Sequence, residues 1–205
     1  MADPSLHYRD DRVEITRAVV GPIDNNVFVV QCRRTHESVL VDAANEADVV
    51  LGMCRRLGVT KVLTTHGRRD HIQAVSAVRA AGYRVGIGAG DVAMLADHDF
   101  VIGDDETFEV GDVVLRSVHT PGHTPGSLCF VVEGSPVLLS GDTLFPGGPG
   151  ATRFVHSDFP TIMRSIETRL FGPLPDDTVV MPGHGDDTTI GTERPHLQEW
   201  ADRGW

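Results

Sequence analysis

At 205 residues, with 40% hydrophobic and 23% charged residues, the chain has the composition of one globular domain with a sizeable core. Its formal charge of −11 and pI near 5.2 argue against a nucleic-acid-binding surface, which needs a basic footprint. No apolar run reaches membrane length and Met1–Arg12 has no apolar h-region, so a cytoplasmic protein with neither a membrane nor a nucleic-acid partner is expected.

In chain order, Val13–Val20, Asn26–Cys32 and Ser38–Val41 are rich in β-branched residues and bounded by turn residues, which predicts strands. Glu46–Leu57 predicts a helix, with Val49, Val50, Met53 and Leu57 on one face and Gly58 as its stop. A short strand at Lys61–Thr64 and a helix at His71–Ala81, ending at Gly82, follow. Further strands are predicted at Val113–Val118, Leu128–Val132, Val137–Leu139 and Thr178–Met181. Thr161–Phe171 has helical spacing at Ile162, Ser165, Ile166, Arg169 and Leu170, and Gly147–Gly150 predicts a loop. Cys32, Cys54 and Cys129 lack the close spacing of a redox or zinc pair and are expected as free thiols in a reducing compartment. Trp200 and Trp205 are expected at the surface, where they would offer a contact for a homodimer. Strands and helices mix throughout without a linker or repeat, which predicts one α/β domain over residues 1–205.

Histidine and aspartate follow short apolar runs in four places. These are Thr65-His66-Gly67-Arg68-Arg69-Asp70-His71, Thr120-Pro121-Gly122-His123-Thr124-Pro125-Gly126-Ser127, Ser140-Gly141-Asp142-Thr143 and Pro182-Gly183-His184-Gly185. Imidazole nitrogens and carboxylate oxygens on strand-end loops are the usual donors for a catalytic zinc. Taken singly, each has a structural alternative. Asp70 with Gln73 reads as a capping box, His123 and His184 as turn residues, and Gly141-Asp142 as a turn.

Taken together, their order and spacing resemble the metallo-β-lactamase superfamily, with its His-x-His-x-Asp-His loop, later His, later Asp and final His. The resemblance runs from about Val13 to Pro195 and implies an αββα sandwich with the metal site at one edge, between the sheets. Asp42, in Val41-Asp42-Ala43, matches the family's early strand-end aspartate, which supports the ligands from outside; as an isolated residue it reads equally as a surface turn. Within the superfamily, Asp24-Asn25-Asn26-Val27-Phe28, Thr120 to Ser127, Gly141-Asp142-Thr143-Leu144-Phe145, Pro182 to Gly185 and Thr188 to Gly191 resemble glyoxalase II-like (hydroxyacylglutathione hydrolase-like) enzymes. The chain ends soon after His184, so the C-terminal helical domain that grips glutathione in glyoxalase II is not expected, and the thiol carrier does not carry over.

Arg68 stands where the family has its second histidine. The resemblance places one metal on His66, the residue at 68 and His123, and a second on Asp70, His71 and His184, with Asp142 between them. Arg68 removes one ligand and adds a permanent cation. A divalent ion 4 Å from a guanidinium would be repelled by about 8 kcal/mol at an effective dielectric near 20. The expectation is therefore one zinc per chain, on the Asp70, His71 and His184 side, activating water against a small thioester or ester-like substrate. Asp70 and Arg68 are the candidate catalytic residues; Arg68 either lies across Asp142, polarises a substrate carbonyl or salt-bridges at the surface. A rival reading puts a single iron on His66, His123 and Asp142, as in persulfide dioxygenases of the superfamily. A third makes the chain a degenerate binding or scaffold protein. Arg153, Phe154 and His156 belong to a variable lid, and His156 is either solvent-facing or within reach of the metal.

Overall fold

The computed structural model describes residues 4–204. Among these residues the strands are β1 Ser5–Arg9, β2 Val13–Val20, β3 Asn25–Cys32, β4 Ser38–Val41, β5 Val59–Leu63, β6 Arg84–Gly88, β7 Phe100–Ile102, β8 Thr107–Val110, β9 Val113–His119, β10 Leu128–Val132, β11 Val137–Gly141, β12 Leu144–Phe145, β13 Gly148–Pro149, β14 Val179–Pro182 and β15 Thr188–Thr189. The helices are α1 Ala47–Leu57, α2 Arg69–Ile72, α3 Val75–Ala80, α4 Phe159–Ser165, α5 Ile190–Glu193 and α6 Leu197–Arg203.

The first sheet runs β1-β2-β3-β4-β5-β6-β7, antiparallel from β1 to β4 and parallel from β4 to β7. The second runs β15-β14-β11-β10-β9-β8, with β11 and β14 its parallel pair. Side-chain alternation sorts each strand between two faces. Phe28, Val30 and Cys32 of β3 join Leu115, Phe130, Leu139 and Met181 in the core between the sheets. Val27 and Val29 of the same strand face outward onto Val50, Met53 and Cys54 of α1 and Val75 and Val78 of α3. On the far side, Cys129, Val131, Leu138 and Val180 pack against Ile162, Ile166, Leu170, Ile190 and Trp200. The result is the four-layer αββα sandwich, with the central strands of both sheets buried on both faces.

Several predicted elements change on inspection. The helix expected over His71–Ala81 is two short ones, α2 and α3, because the N–H groups of Gln73 and Ala74 donate to Ala44 and Ala43 carbonyls instead of continuing the helical ladder. The Thr161–Phe171 helix begins at Phe159, capped by the Asp158 side chain, and ends in a wider π turn over Ile166–Phe171. Gly147–Gly150 is not a plain loop, since β12 and β13 pair there. Trp200 is 1% exposed and packs beside Phe171, not at the surface, so it supports no dimer contact; Trp205 lies outside the described residues. The three cysteines are free and buried. Among the described residues, no helix is long and apolar enough to cross a membrane.

Parallel pairing brings the C-terminal ends of β4 and β5 to the same edge as those of β11 and β14. There the sheets are stitched together by backbone hydrogen bonds, Asn26 N–H to Gly183 O at 2.7 Å and Leu128 N–H to Thr65 O at 2.8 Å.

Candidate metal centre

His66, Asp70, His71, His123, Asp142 and His184 arrive at that edge on four separate loops and form two groups sharing Asp142. Asp70, His71, Asp142 and His184 make one group and His66, His123 and Asp142 the other, with the candidate ligand atoms of each within 4.8 Å of one another. Close backbone approach makes this convergence possible. A Cβ on Gly183 would lie 2.4 Å from Asp142 Oδ1 and 2.6 Å from His71 Cε1, so only glycine fits between them.

Each histidine is anchored through Nδ1. His71 Nδ1 donates to Asp42 Oδ2 at 2.8 Å, His123 Nδ1 to Ala151 O at 2.8 Å and His184 Nδ1 to Ile23 O at 2.8 Å. His66 is held less directly. Thr65 Oγ1 gives its one proton to Asp42 Oδ2 at 2.8 Å, and so accepts from His66 Nδ1 at 3.0 Å. Asp42 Oδ1 also accepts from Thr65 N–H at 2.7 Å. One buried carboxylate thus orients two histidines and leaves every Nε2 facing the centre, the arrangement that prepares imidazole for a metal. Asp42 is not a surface turn residue: it is 2% exposed, although its φ of 63° is left-handed.

In the first group, His71 Nε2 lies 3.2 Å from His184 Nε2, 3.4 Å from Asp70 Oδ2 and 3.3 Å from Asp142 Oδ1, and His184 Nε2 lies 3.3 Å from Asp70 Oδ2. Ligand atoms about 2.0–2.1 Å from one tetrahedral zinc stand about 3.3–3.4 Å apart. In the second group, His66 Nε2 and His123 Nε2 are buried without a hydrogen-bond partner, and His123 Nε2 is 3.5 Å from Asp142 Oδ2. Buried polar atoms are rarely left so. Two imidazole nitrogens and a carboxylate pointing at one space suit a divalent cation, and the donor set fits one.

The charge balance follows from burial and neighbours. Burial opposes protonation of His71, but Asp142 and Asp42 outweigh it and hold its pKa well above 6.5. Burial also opposes the charge on His184, yet Asp70 and Asp142 raise its pKa. His66 is pushed well below the ordinary value by burial and by the charge of His71, and His123 is lowered by burial and by nearby Arg68. Asp142 stays far below the carboxylate range because His71 overcomes its burial, and Asp70 is lowered by its bond to His184 against the same burial.

The capping-box alternative for Asp70 does not hold. Arg68 is the N-cap of α2 without a side-chain cap bond, and Asp70 turns to Asn25 Nδ2 at 3.3 Å and to His184. Arg68 neither crosses Asp142 nor joins a surface ion pair with a described residue; its guanidinium lies over the Phe154 ring at 3.5 Å, and Phe154 stands edge-on to His123. His156 is exposed at a left-handed φ of 71° and belongs to neither group. Sequence reasoning missed Asn25 as a contact of Asp70, Thr65 as the relay to His66, and Asp91, which is buried beside the metal loop.

Residues 20–184 match the family profile described as the metallo-β-lactamase superfamily. The chain belongs to this superfamily. It is 31% identical over 207 residues to a probable metallo-hydrolase of Bacillus subtilis, covering 87% of this chain and 93% of that one. It is 30% identical over 181 residues to a hydroxyacylglutathione hydrolase of Haemophilus influenzae, covering 77% and 84%. Among solved structures, TTHA1623 in a di-iron-bound form superimposes with a TM-score of 0.76 at 27% identity, covering 87% of this chain and 96% of that one. The superfamily binds metal ions, and the two residue groups are where this chain can do so.

Proposed function

We propose that this chain is a metal-dependent hydrolase of small thioester or ester-like substrates, holding one zinc tightly on Asp70, His71, His184 and Asp142. The observation that carries this is the 3.2–3.4 Å separation of His71 from His184, Asp70 and Asp142 and of His184 from Asp70, with both imidazoles anchored through Nδ1. The hydroxyacylglutathione hydrolase and metallo-hydrolase relatives support the reaction class. Bound there, the ion supplies Lewis acidity and acidifies water.

The chain's own residues complete the site. Asp70, held ionised and bonded by Asn25, is too weak a base to take a proton outright and serves to ligate and to orient water. Asp42 fixes the ring of His71 and, through Thr65, that of His66. Arg68, pre-oriented on Phe154 at 3.5 Å, presents guanidinium N–H groups beside His123 to a substrate carbonyl oxygen as charge develops on it.

A second reading, an iron-dependent dioxygenase centred on His66, His123 and Asp142, draws on the two unpartnered buried imidazole nitrogens of that group and, for the identity of the metal, on the di-iron-bound neighbour. A degenerate scaffold is the least favoured, because six candidate ligand residues converge and the four histidines among them each have an Nδ1 contact. Elemental analysis of protein purified without added metal is the test. About one zinc per chain supports the hydrolase, one iron per chain transfers support to the dioxygenase, and no metal after exposure to either ion defeats both.

A further inference from the structure

Asp91 lies in the short turn Ala89–Asp91 after β6, in a stretch without a metal-site motif. It is fully buried, and its carboxylate joins the two loops that carry His66 and His123. Oδ2 accepts from the N–H of Gly67, next to His66, at 2.7 Å and from Thr124 Oγ1, next to His123, at 2.6 Å; Oδ1 accepts from Gly126 N–H at 2.7 Å. Because the Thr124 hydroxyl proton goes to Asp91, Ser127 Oγ donates to Thr124 Oγ1 at 2.8 Å and in turn takes Thr124 N–H at 3.0 Å.

All three donors are uncharged and come from the two loops. The surroundings leave no slack. A Cβ on Gly126 would lie 2.5 Å from Asp91 N, one on Gly90 2.5 Å from the Pro125 carbonyl carbon, and one on Gly67 2.6 Å from Met94 Cβ. His71 and His184 have separate anchors, Asp42 and the Ile23 carbonyl.

We propose that Asp91 is a positioning residue that sets the spacing and orientation of His66 and His123 relative to Asp142, and thereby the capacity of that group for a divalent ion. The inference rests on reading these histidines as metal ligands, although its main readout needs no metal.

Asp91→Asn keeps the shape but replaces one acceptor by NH2, which must face the N–H of either Gly67 or Gly126. In metal-free protein labelled with 15N, the ring-nitrogen signals of His66 and His123 are expected to move while those of His71 and His184 stay. In a Co2+ titration, any weaker equivalent held by His66, His123 and Asp142 should lose about tenfold or more in affinity, the range for losing an outer partner, with the tighter equivalent unchanged. All four rings moving together, or none moving, overturns the proposal. Should Asp91→Asn not fold, Thr124→Val removes the hydroxyl with its bonds to Asp91 and Ser127 and should move the His123 signals, and Thr124→Ser should restore them; equal behaviour of Val and Ser overturns it as well. Failure of the unaltered protein to take up any Co2+ would defeat the metal assignment itself, a result the metal-free ring signals keep separate.

Discussion

The guanidinium of Arg68 lies over the ring of Phe154, 3.5 Å from its centroid. That contact holds the cation with no carboxylate partner among the described residues and beside His123, whose pKa it helps to depress. A charge placed there both lacks a lone pair for metal and repels a second ion from His66 and His123.

Replacing it tests that account. Arg68→His should raise bound metal from about one equivalent to two and speed hydrolysis of simple thioesters. Elemental analysis after zinc exposure decides the first point. Metal content that stays at one would mean that the surrounding geometry, not the guanidinium, limits the site.

Asp42 makes a different prediction, because it belongs to neither group of candidate ligands. Its carboxylate accepts from His71 Nδ1, Thr65 N–H and Thr65 Oγ1. Asp42→Asn substitutes a donor for one acceptor in a buried network and releases the ring of His71 or the Thr65 relay. Zinc affinity should fall roughly 10–100-fold, as for other lost outer partners, measured by competition with a chromophoric chelator. Affinity within twofold of the unaltered protein would remove Asp42 from the site.

Proton competition gives the third. His71 and His184 have pKa values raised above 6.5 by Asp142, Asp42 and Asp70, and each must lose its Nε2 proton to bind a cation. Zinc affinity should therefore climb with pH through the region above 6.5, where an ordinary histidine is already neutral. Stability of the metal-free protein runs the other way. A raised folded-state pKa contributes stability that is complete below the unfolded value and disappears as pH rises through the folded one. His66 and His123, whose values are lowered, do not titrate in that range. The gain in Tm on adding zinc should consequently be larger at pH 8.5 than at pH 6.5, and a gain independent of pH would contradict the assignment of charge.

The residues of the two candidate groups were legible in the sequence because their setting is local: His66, His123, Asp142 and His184 each stand beside a glycine after an apolar run, and Asp70 and His71 follow on the His66 loop. The strands β2 to β4 and β9 to β11 were legible for a similar reason, since residues such as Val27 to Val30 are buried on both faces and need no partner to be recognised. What escaped depends on distant backbone. The break between α2 and α3 is made by Ala43 and Ala44 carbonyls, and β6 contains Gly86, whose missing side chain is explained only by Phe100, 2.3 Å from where its Cβ would be. Asp91 carries no motif because its three donors lie on two other loops. Trp200 looked like a surface residue near the chain end, and only the packing of α6 on Phe171 buries it.

His184→Ala separates the functional readings in one variant. His184 is the ligand furthest along the chain from the metal loop, its Nε2 3.2 Å from His71 Nε2 and 3.3 Å from Asp70 Oδ2. In the hydrolase reading the substitution removes one of three core ligands, so zinc affinity should fall by more than the ~100-fold upper range for an outer partner, and hydrolysis with it. The fold should persist, because the side chain is 21% exposed at the sheet edge and contributes nothing to the cores between and outside the sheets. A loss of about 1 kcal/mol in the metal-free protein is the expected scale. In the iron reading the ion sits on His66, His123 and Asp142, and metal content should be nearly unchanged. In a degenerate scaffold neither metal nor activity should respond. Metal content by elemental analysis and thioester hydrolysis, measured on this variant beside the unaltered protein, distinguish the three, and zinc retained at the original affinity would overturn the assignment of the tight site to Asp70, His71 and His184.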